Sequence, residues 1–444
     1  MAVGDKLQLK IERMGYSPEG VAHDEEGRAV FVSGAVPGDT VEAEVTATAK
    51  TYLKARATAV LEASPDRVAP ECPYASVCGG CPWASMAYPA QARAKRDGVV
   101  DALARIGHFE RGRAESLVSP IQTPSKPWGY RNKVELAVTT VNGKVTLGMH
   151  AASGDGVVKV DRCALLAKKH AKDVKAVSGA LNYFSNSRGI ELERVGIRAA
   201  LNTAELEVAL WDRPGPFPRA QAAKILGDAV KATSVVRVMQ KGPAKARKIA
   251  GVEVLSGKGS WGEVVGGQHM RVSAPSFFQV NTKGAERLVE LVMEGLDPAE
   301  DEEAMDLYCG AGTFTLPLAR RAGYVSAVES YGPAVRDLRR NIEQARLDNV
   351  DAIGGDAGRE FPDTDADVIV VDPPRAGLAE DVVAQLSEQP ARAVAYVSCD
   401  PATLARDLAR FEEAGTFEVA SVTPVDLFPQ TFHVENVAIL KRRK

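Results

Sequence analysis

A chain of 444 residues that is 45% hydrophobic can bury several cores, and its length predicts about two to four domains. A net charge of -3 excludes a protein that coats polyanions through its overall charge, so a nucleic-acid partner has to meet a local basic patch. No apolar run reaches the length of a membrane span, and the opening MAVGDKLQLK lacks the apolar centre of a signal peptide, which predicts a soluble, cytoplasmic protein with no membrane partner.

Residues 3–62 read as short strands, LQLKIERM, AVFVSG, DTVEAEVTATA and YLKARATAVLEA, broken by SPEG, DEEG and VPGD. This pattern predicts a small OB-like β-barrel over residues 1–64. A Pro-rich linker, ASPDRVAPECP, leads into the loop ECPYASVCGGCPW, which holds Cys72, Cys78 and Cys81. Clustered thiols in a reducing compartment bind metal or do chemistry more often than they pair. Gly79 and Gly80 let the backbone curl so that Cys78 and Cys81 face one centre. Cys163, in KVDRCALL, is the candidate fourth ligand. Four thiolates suit tetrahedral zinc or an iron–sulfur cluster. A single, distant fourth ligand in place of a second CxxC knuckle leans toward a 4Fe-4S cluster.

Residues 86–108 read as helix, with basic Arg93, Lys95 and Arg96. From about 130 to 272, YRNKVELAVTT, VTLGMH, IELERVGIRAA and ELEVALW predict strands with helices between them, a mixed α+β central domain. From about 303 the pattern alternates apolar strands with amphipathic helices, the mark of a doubly wound α/β sheet. The expected division is 1–64, 65–272 and 273–444. The helical stretch near 85–118 is read as able to pack with the last of these.

EEAMDLYCGAGTFTLPLARRAGYVSAVES predicts strand, tight glycine loop, helix and second strand. Gly310 and Gly312 allow close backbone approach to a ligand, and Glu329 ends the second strand where it can accept from ribose hydroxyls. The position of a third dinucleotide-site glycine holds Thr315, so S-adenosylmethionine fits better than NAD. Gly355-Asp356-Ala357 then falls where such folds contact adenine. Cys309 is read as a small residue packing beside the cofactor.

Cys399 ends the strand AVAYVS, with Asp400 a good N-cap and Pro401 a good first helical residue. A thiol just ahead of a helix N-terminus is expected to favour thiolate, as a nucleophile requires, although a structural cysteine fits the local pattern equally well.

DLYCGAGTF, DPPRAGL, SCDPATLARD, FFQVN and FHVEN together resemble the uracil-5 RNA methyltransferases across nearly the whole chain. The barrel resembles a TRAM domain, and the cysteine loop with Cys163 resembles the 4Fe-4S site of the ribosomal branch. The resemblance implies a Rossmann-like S-adenosylmethionine methyltransferase domain and methylation of uridine carbon 5 in RNA. It makes Cys399 the nucleophile and Glu435 the base. It places Asp372 on the uracil edge and also near the cofactor, with Gln279, Tyr308, Gly310, Gly312, Thr313, Glu329 and Asp356 as cofactor contacts. Asp400 stands where many members have Asn, and an Asp caps a helix equally well.

Of the basic stretches, YRNK makes Arg131 and Lys133 the first candidates for RNA contact. QARAKR (91–96), RVMQKGPAKARK (237–248) and the terminal KRRK rank behind it. His433 is read as structural. The cluster is expected to be structural too, since it lies far in sequence from Cys399. The expected partner is structured 23S ribosomal RNA, with tRNA as the alternative, bound by a monomer. A small-molecule or protein methyltransferase and an inactive iron–sulfur RNA-binding module are the rival classes. The barrel with the Cys399 and Glu435 pair argues against the first, and intact Gly310, Gly312, Cys399 and Glu435 argue against the second.

Overall fold

The computed structural model describes residues 1–188, 191–243 and 247–444. The N-terminal strands form one six-stranded sheet in the order Lys6–Lys10, Thr40–Thr48, Tyr52–Glu62, Ala29–Ser33, Gly20–His23, Arg13–Met14. Alternation sets its inside: Val41, Ala43 and Val45 of one strand are buried while their neighbours are not. Val41 and Ala43 join Leu9, Ile11, Val30, Val32 and Leu53 in the core of an OB-like barrel. Buried Asp39 accepts from the amides of Val36 and Ser64 and from Arg67, which ties the barrel to the linker.

The central seven-stranded sheet runs Lys248–Gly257, Ser234–Lys241, Leu206–Asp212, Arg194–Ala199, Lys133–Val141, Lys144–His150, Val157–Lys159. Val174, Val177 and Leu181 of the helix Asp173–Arg188, with Ala222 and Leu226 of Arg219–Val230, share its core. The strand Ser234–Lys241 corrects the reading of 237–248 as a basic surface stretch. Arg237 is 1% exposed and paired to Asp212. Positions 244–246 of that stretch lie outside the described residues.

The last sheet has the order Val350–Gly354, Tyr324–Glu329, Glu303–Leu307, Val368–Val371, Ala393–Ser398, Glu435–Arg442, Phe417–Val425. The first five strands are parallel and Glu435–Arg442 is antiparallel to both neighbours. Strand order reverses between Glu303–Leu307 and Val368–Val371, and ligands of such sheets sit at the carboxyl ends beside that switch. Val99, Val100 and Leu103 of the helix Tyr88–Arg105 are buried with Tyr396, Leu404 and Leu408 in the core of this last sheet.

That helix also withdraws Lys95 of the stretch 91–96 from the surface. Lys95 is buried with its Nζ 2.6 Å from Asp426. Arg93 pairs with Asp66, and Arg96 donates to the carbonyls of Glu115 and Val118. Among the described residues no helix is long and apolar enough to cross a membrane.

Candidate active site

The glycine loop after Glu303–Leu307 turns on three left-handed residues, Tyr308 (φ 64°), Gly310 (φ 57°) and Gly312 (φ 96°). A side chain at Gly312 would strike Leu316 and Leu338, whereas a Cβ at Gly310 would meet only open space. The loop therefore packs tightly on one side and leaves room for a ligand on the other. Thr313 is half-buried in the same turn. The helix that follows is only Thr315–Ala319, shorter than expected, and it closes in tight turns before Gly323.

Glu329 holds the loop. Its Oε2 accepts from the Gly310 amide at 2.9 Å and its Oε1 from the Tyr331 amide at 2.6 Å. Each oxygen keeps a lone pair for a ribose hydroxyl. Gln279 is buried with its Oε1 unpartnered among the described residues, a polar atom that a ligand would satisfy. Asp356 is exposed and turns its own loop by accepting from Gly358. Cys309 is buried in apolar packing with its thiol pushed well up by burial, as a packing residue should be.

The sequence reading missed Asp306. It is fully buried, accepts from Thr315 at 2.6 Å through one oxygen and has no partner for the other among the described residues. Burial, opposed by Thr315, leaves its carboxyl raised to about 7. Asp372 is raised to about 8 by burial and then by Asp306 and Glu329. A carboxyl raised in this way is largely protonated near neutral pH and gives up its proton when a cation is brought beside it. The signal available in sequence was a lone Asp inside the apolar strand AMDLY, where an unpaired carboxylate is costly.

Cys399 and Glu435 come together through strand register. Ser398 pairs with Asn436 and Val397 with Val437 in antiparallel strands. One step further brings Cys399 opposite Glu435. Both line a cavity of about 1180 Å³, together with Arg131, Phe277, Arg375, Phe432 and His433. Glu435 is 3% exposed with its Oε2 unpartnered among the described residues, and burial and then Asp372 raise its carboxyl to about 8.

Asp400 caps the helix Pro401–Ala414 as expected, accepting from the amides of Ala402 and Thr403. The expected acidic thiol is corrected. Burial, then Glu435 and Asp372, push Cys399 up to about 11, while the Arg375 guanidinium opposes them. Arg375 in turn donates to His433 Nδ1 at 2.7 Å. His433 is held neutral, lowered to about 4 by burial and by Arg375, so it can accept that bond. Arg375 and His433 are therefore site residues that the sequence reading left out or took as structural.

Arg131 reaches the cavity because the YRNK segment docks on FFQVN: Asn132 donates to the Gln279 carbonyl and to Thr282. Lys133 is not among the cavity-lining residues, and its Nζ pairs with Glu135 at 2.9 Å.

The same cavity is lined by Cys78, Gly79, Gly80 and Cys81 and by barrel residues Ser33, Gly34 and Arg56. Distance in sequence thus misplaced the cysteine loop, which forms one wall of the cleft holding Cys399. The four thiols are near neighbours: Cys81 is pushed up to about 12 by burial and by Cys163, Cys78 and Cys72. The Gly80 amide donates to Cys78 Sγ, and Tyr74 Oη accepts from the Asp161 amide to hold the loop near Cys163. Among the described residues no group of three or more His, Cys, Asp or Glu is arranged around a single metal ion.

Two family descriptions match the chain: tRNA (Uracil-5-)-methyltransferase over residues 264–443 and the TRAM domain over residues 2–58. An uncharacterized RNA methyltransferase of Thermosynechococcus vestitus is 33% identical over 98% of both chains. One from Halalkalibacterium halodurans is 34% identical over 98% of this chain and 97% of its own. The solved tRNA (uracil-54, C5)-methyltransferase of Pyrococcus abyssi, in complex with S-adenosyl-L-homocysteine, is 25% identical. It superposes with a TM-score of 0.75 over 98% of this chain and 100% of its own.

Proposed function

The chain belongs to the S-adenosylmethionine-dependent RNA uracil-5 methyltransferases, and from that premise we propose that it works through a covalent Cys399–uracil intermediate resolved by Glu435. The single observation that carries this reading is that Cys399 and the buried Glu435, whose Oε2 has no partner among the described residues, line one cavity.

The chemistry follows from what each side chain can do. The Cys399 thiolate adds to carbon 6 of uracil, forming an S–C bond and pushing the double-bond electrons into an enolate centred on carbon 5. S-adenosylmethionine, when bound, supplies the electrophilic methyl. Glu435 then takes the carbon-5 proton, the ring double bond re-forms and the thiolate leaves. Arg375 stabilises the thiolate before attack and after departure, and neutral His433 aims it. The base must leave its stack to reach Cys399. Phe277, 66% exposed at the cavity, offers a ring for it, and Arg131 and Arg56 offer charge for the backbone. Gly310, Gly312, Tyr308, Thr313, Glu329, Gln279, Asp356 and Asp372 are proposed to bind the cofactor.

The proposed ligands of a 4Fe-4S cluster are Cys72, Cys78, Cys81 and Cys163. Mutual crowding of the four thiols and the amide donated to Cys78 Sγ fit such a group. Its role here is to shape the wall of the RNA cleft, and no step of the methyl transfer is routed through it.

Ribosomal RNA, 23S in particular, is the substrate reading that the barrel and the cysteine loop carry. One observation favours tRNA as the second: the likeness to the Pyrococcus abyssi tRNA (uracil-54, C5)-methyltransferase covers 98% of this chain. Mass mapping of 5-methyluridine in 23S rRNA and in tRNA from a deletion strain decides. Loss from rRNA alone supports the first reading and loss from tRNA alone the second. Loss from neither overturns both. Complementation with Cys399→Ala should restore no methylation.

A further inference from the structure

We infer that Tyr16 of the N-terminal barrel is a positioning residue for the nucleophile, its hydroxyl fixing the main chain of Cys399 so that the thiol is aimed only when the barrel is seated. This inference rests on the reading of Cys399 as nucleophile.

Three consecutive carbonyls at the strand end are held in three ways. Ser398 O accepts from Asn436 Nδ2 at 3.2 Å, within the sheet. Asp400 O accepts from the Leu404 amide at 3.0 Å, as the first bond of the helix. Between them, Cys399 O accepts from Tyr16 Oη at 3.3 Å, across 383 residues of chain. Among the described residues no other donor serves that carbonyl. The nucleophile therefore sits where sheet and helix have both let go of the backbone, and the barrel supplies the missing anchor.

The anchor is built to stay. Tyr16 rides on a tight loop closed by the Gly15 amide donating to the Glu19 carbonyl. Its ring packs on the catalytic core and meets Phe432 edge to face at 5.7 Å. Phe432 lies 4.1 Å from the ring of His433, which accepts the bond from Arg375. One barrel residue thus touches the nucleophile's backbone directly and buttresses the pair that steadies its thiolate. The barrel also lines the cavity through Pro18, Ser33 and Arg56, so RNA lying on it would press on the same loop. This makes the barrel part of the catalytic geometry as well as a docking surface.

The test is Tyr16→Phe, which keeps the ring and removes only the hydroxyl. RNA carrying 5-fluorouridine at the target traps the adduct, and its formation is timed in a single turnover with saturating protein. The rate should fall about 3- to 10-fold, the usual worth of one hydrogen bond. RNA affinity and the thermal midpoint should stay as in the unmutated protein. Tyr16→Leu, which also loses the edge-to-face contact, should fall further. An unchanged rate in Tyr16→Phe, or a loss that saturating RNA abolishes, overturns the inference. Cys399→Ala run beside it separates the two failures. If it still forms the adduct, the nucleophile is another group and the underlying reading fails. If it forms none while Tyr16→Phe behaves as the unmutated protein, only the role of Tyr16 is lost.

Discussion

Cys399 and Glu435 stand opposite one another one step beyond the last paired residues, Ser398 and Asn436, of two antiparallel strands. Both face one cavity, where a nucleophile and a base that act on adjacent ring carbons have to meet. Glu435→Gln should therefore leave addition and methyl transfer intact and block only release. The product should be a methylated protein–RNA complex that survives denaturing electrophoresis. Free methylated RNA at the unmutated rate would remove Glu435 from the role of base.

The same pair predicts an effect on acidity. The charge of Glu435 is, after burial, the largest influence raising Cys399 to about 11. Removing that charge favours the thiolate, so the thiol's midpoint in Glu435→Gln should move down. Alkylation of Cys399 by iodoacetamide, followed by peptide mass mapping against pH, should be faster in the variant at about pH 8. A midpoint that stays or rises would mean that the carboxylate and thiol do not face each other.

The catalytic chemistry was legible where it is local. DLYCGAGTF fixes a strand, a left-handed turn and open space at Gly310 within a few residues, and the structure has all three. SCDP fixes the cap of Asp400 in the same way. What sequence could not carry is strand order. Glu435–Arg442 inserts between Ala393–Ser398 and Phe417–Val425, and only that insertion brings Glu435 to Cys399. Burial is equally non-local. It makes Lys95 a core residue within a stretch that reads as a basic surface, and it raises the Cys399 thiol where the helix terminus alone would lower it.

The raised carboxyls of Asp372 and Asp306 predict how pH discriminates the two forms of the cofactor. Asp372 is raised to about 8, and Asp306 to about 7. A sulfonium beside them favours their ionised forms, whereas the neutral thioether of S-adenosylhomocysteine does not. Affinity for S-adenosylmethionine relative to S-adenosylhomocysteine should rise as pH climbs through about 8, with protons released on binding below that value. Asp372→Asn should flatten the trend. Calorimetry giving a constant ratio between about pH 6 and 9 would place the sulfonium elsewhere.

The four-thiol wall predicts composition. Anaerobically purified protein should be brown and hold about four irons per chain, and Cys163→Ser should lose the colour. Zinc at one ion per chain in place of iron would keep the thiolate site and discard the cluster.

The last prediction concerns what holds the cavity floor. Lys95 and Asp426 form a buried pair at 2.6 Å with both side chains shielded from solvent, and Lys95 also donates to the Phe428 carbonyl at 3.0 Å. Phe428, Thr431, Phe432 and His433 line the cavity directly after Asp426. The helix Tyr88–Arg105 thereby fixes a segment 331 positions further along the chain. Lys95→Met keeps the stem and removes the charge, which leaves Asp426 alone in the core. Breaking a buried pair in this way costs about 3–5 kcal/mol. Lys95→Met with Asp426→Leu removes both charges, and most of that loss should return. The pair's role at the site adds a second readout: adduct formation in folded Lys95→Met should slow, because the Phe428–His433 segment that seats Arg375 has lost its anchor. Urea denaturation and single-turnover trapping check the two parts. A stability loss below about 1 kcal/mol would mean that the contact is no ion pair.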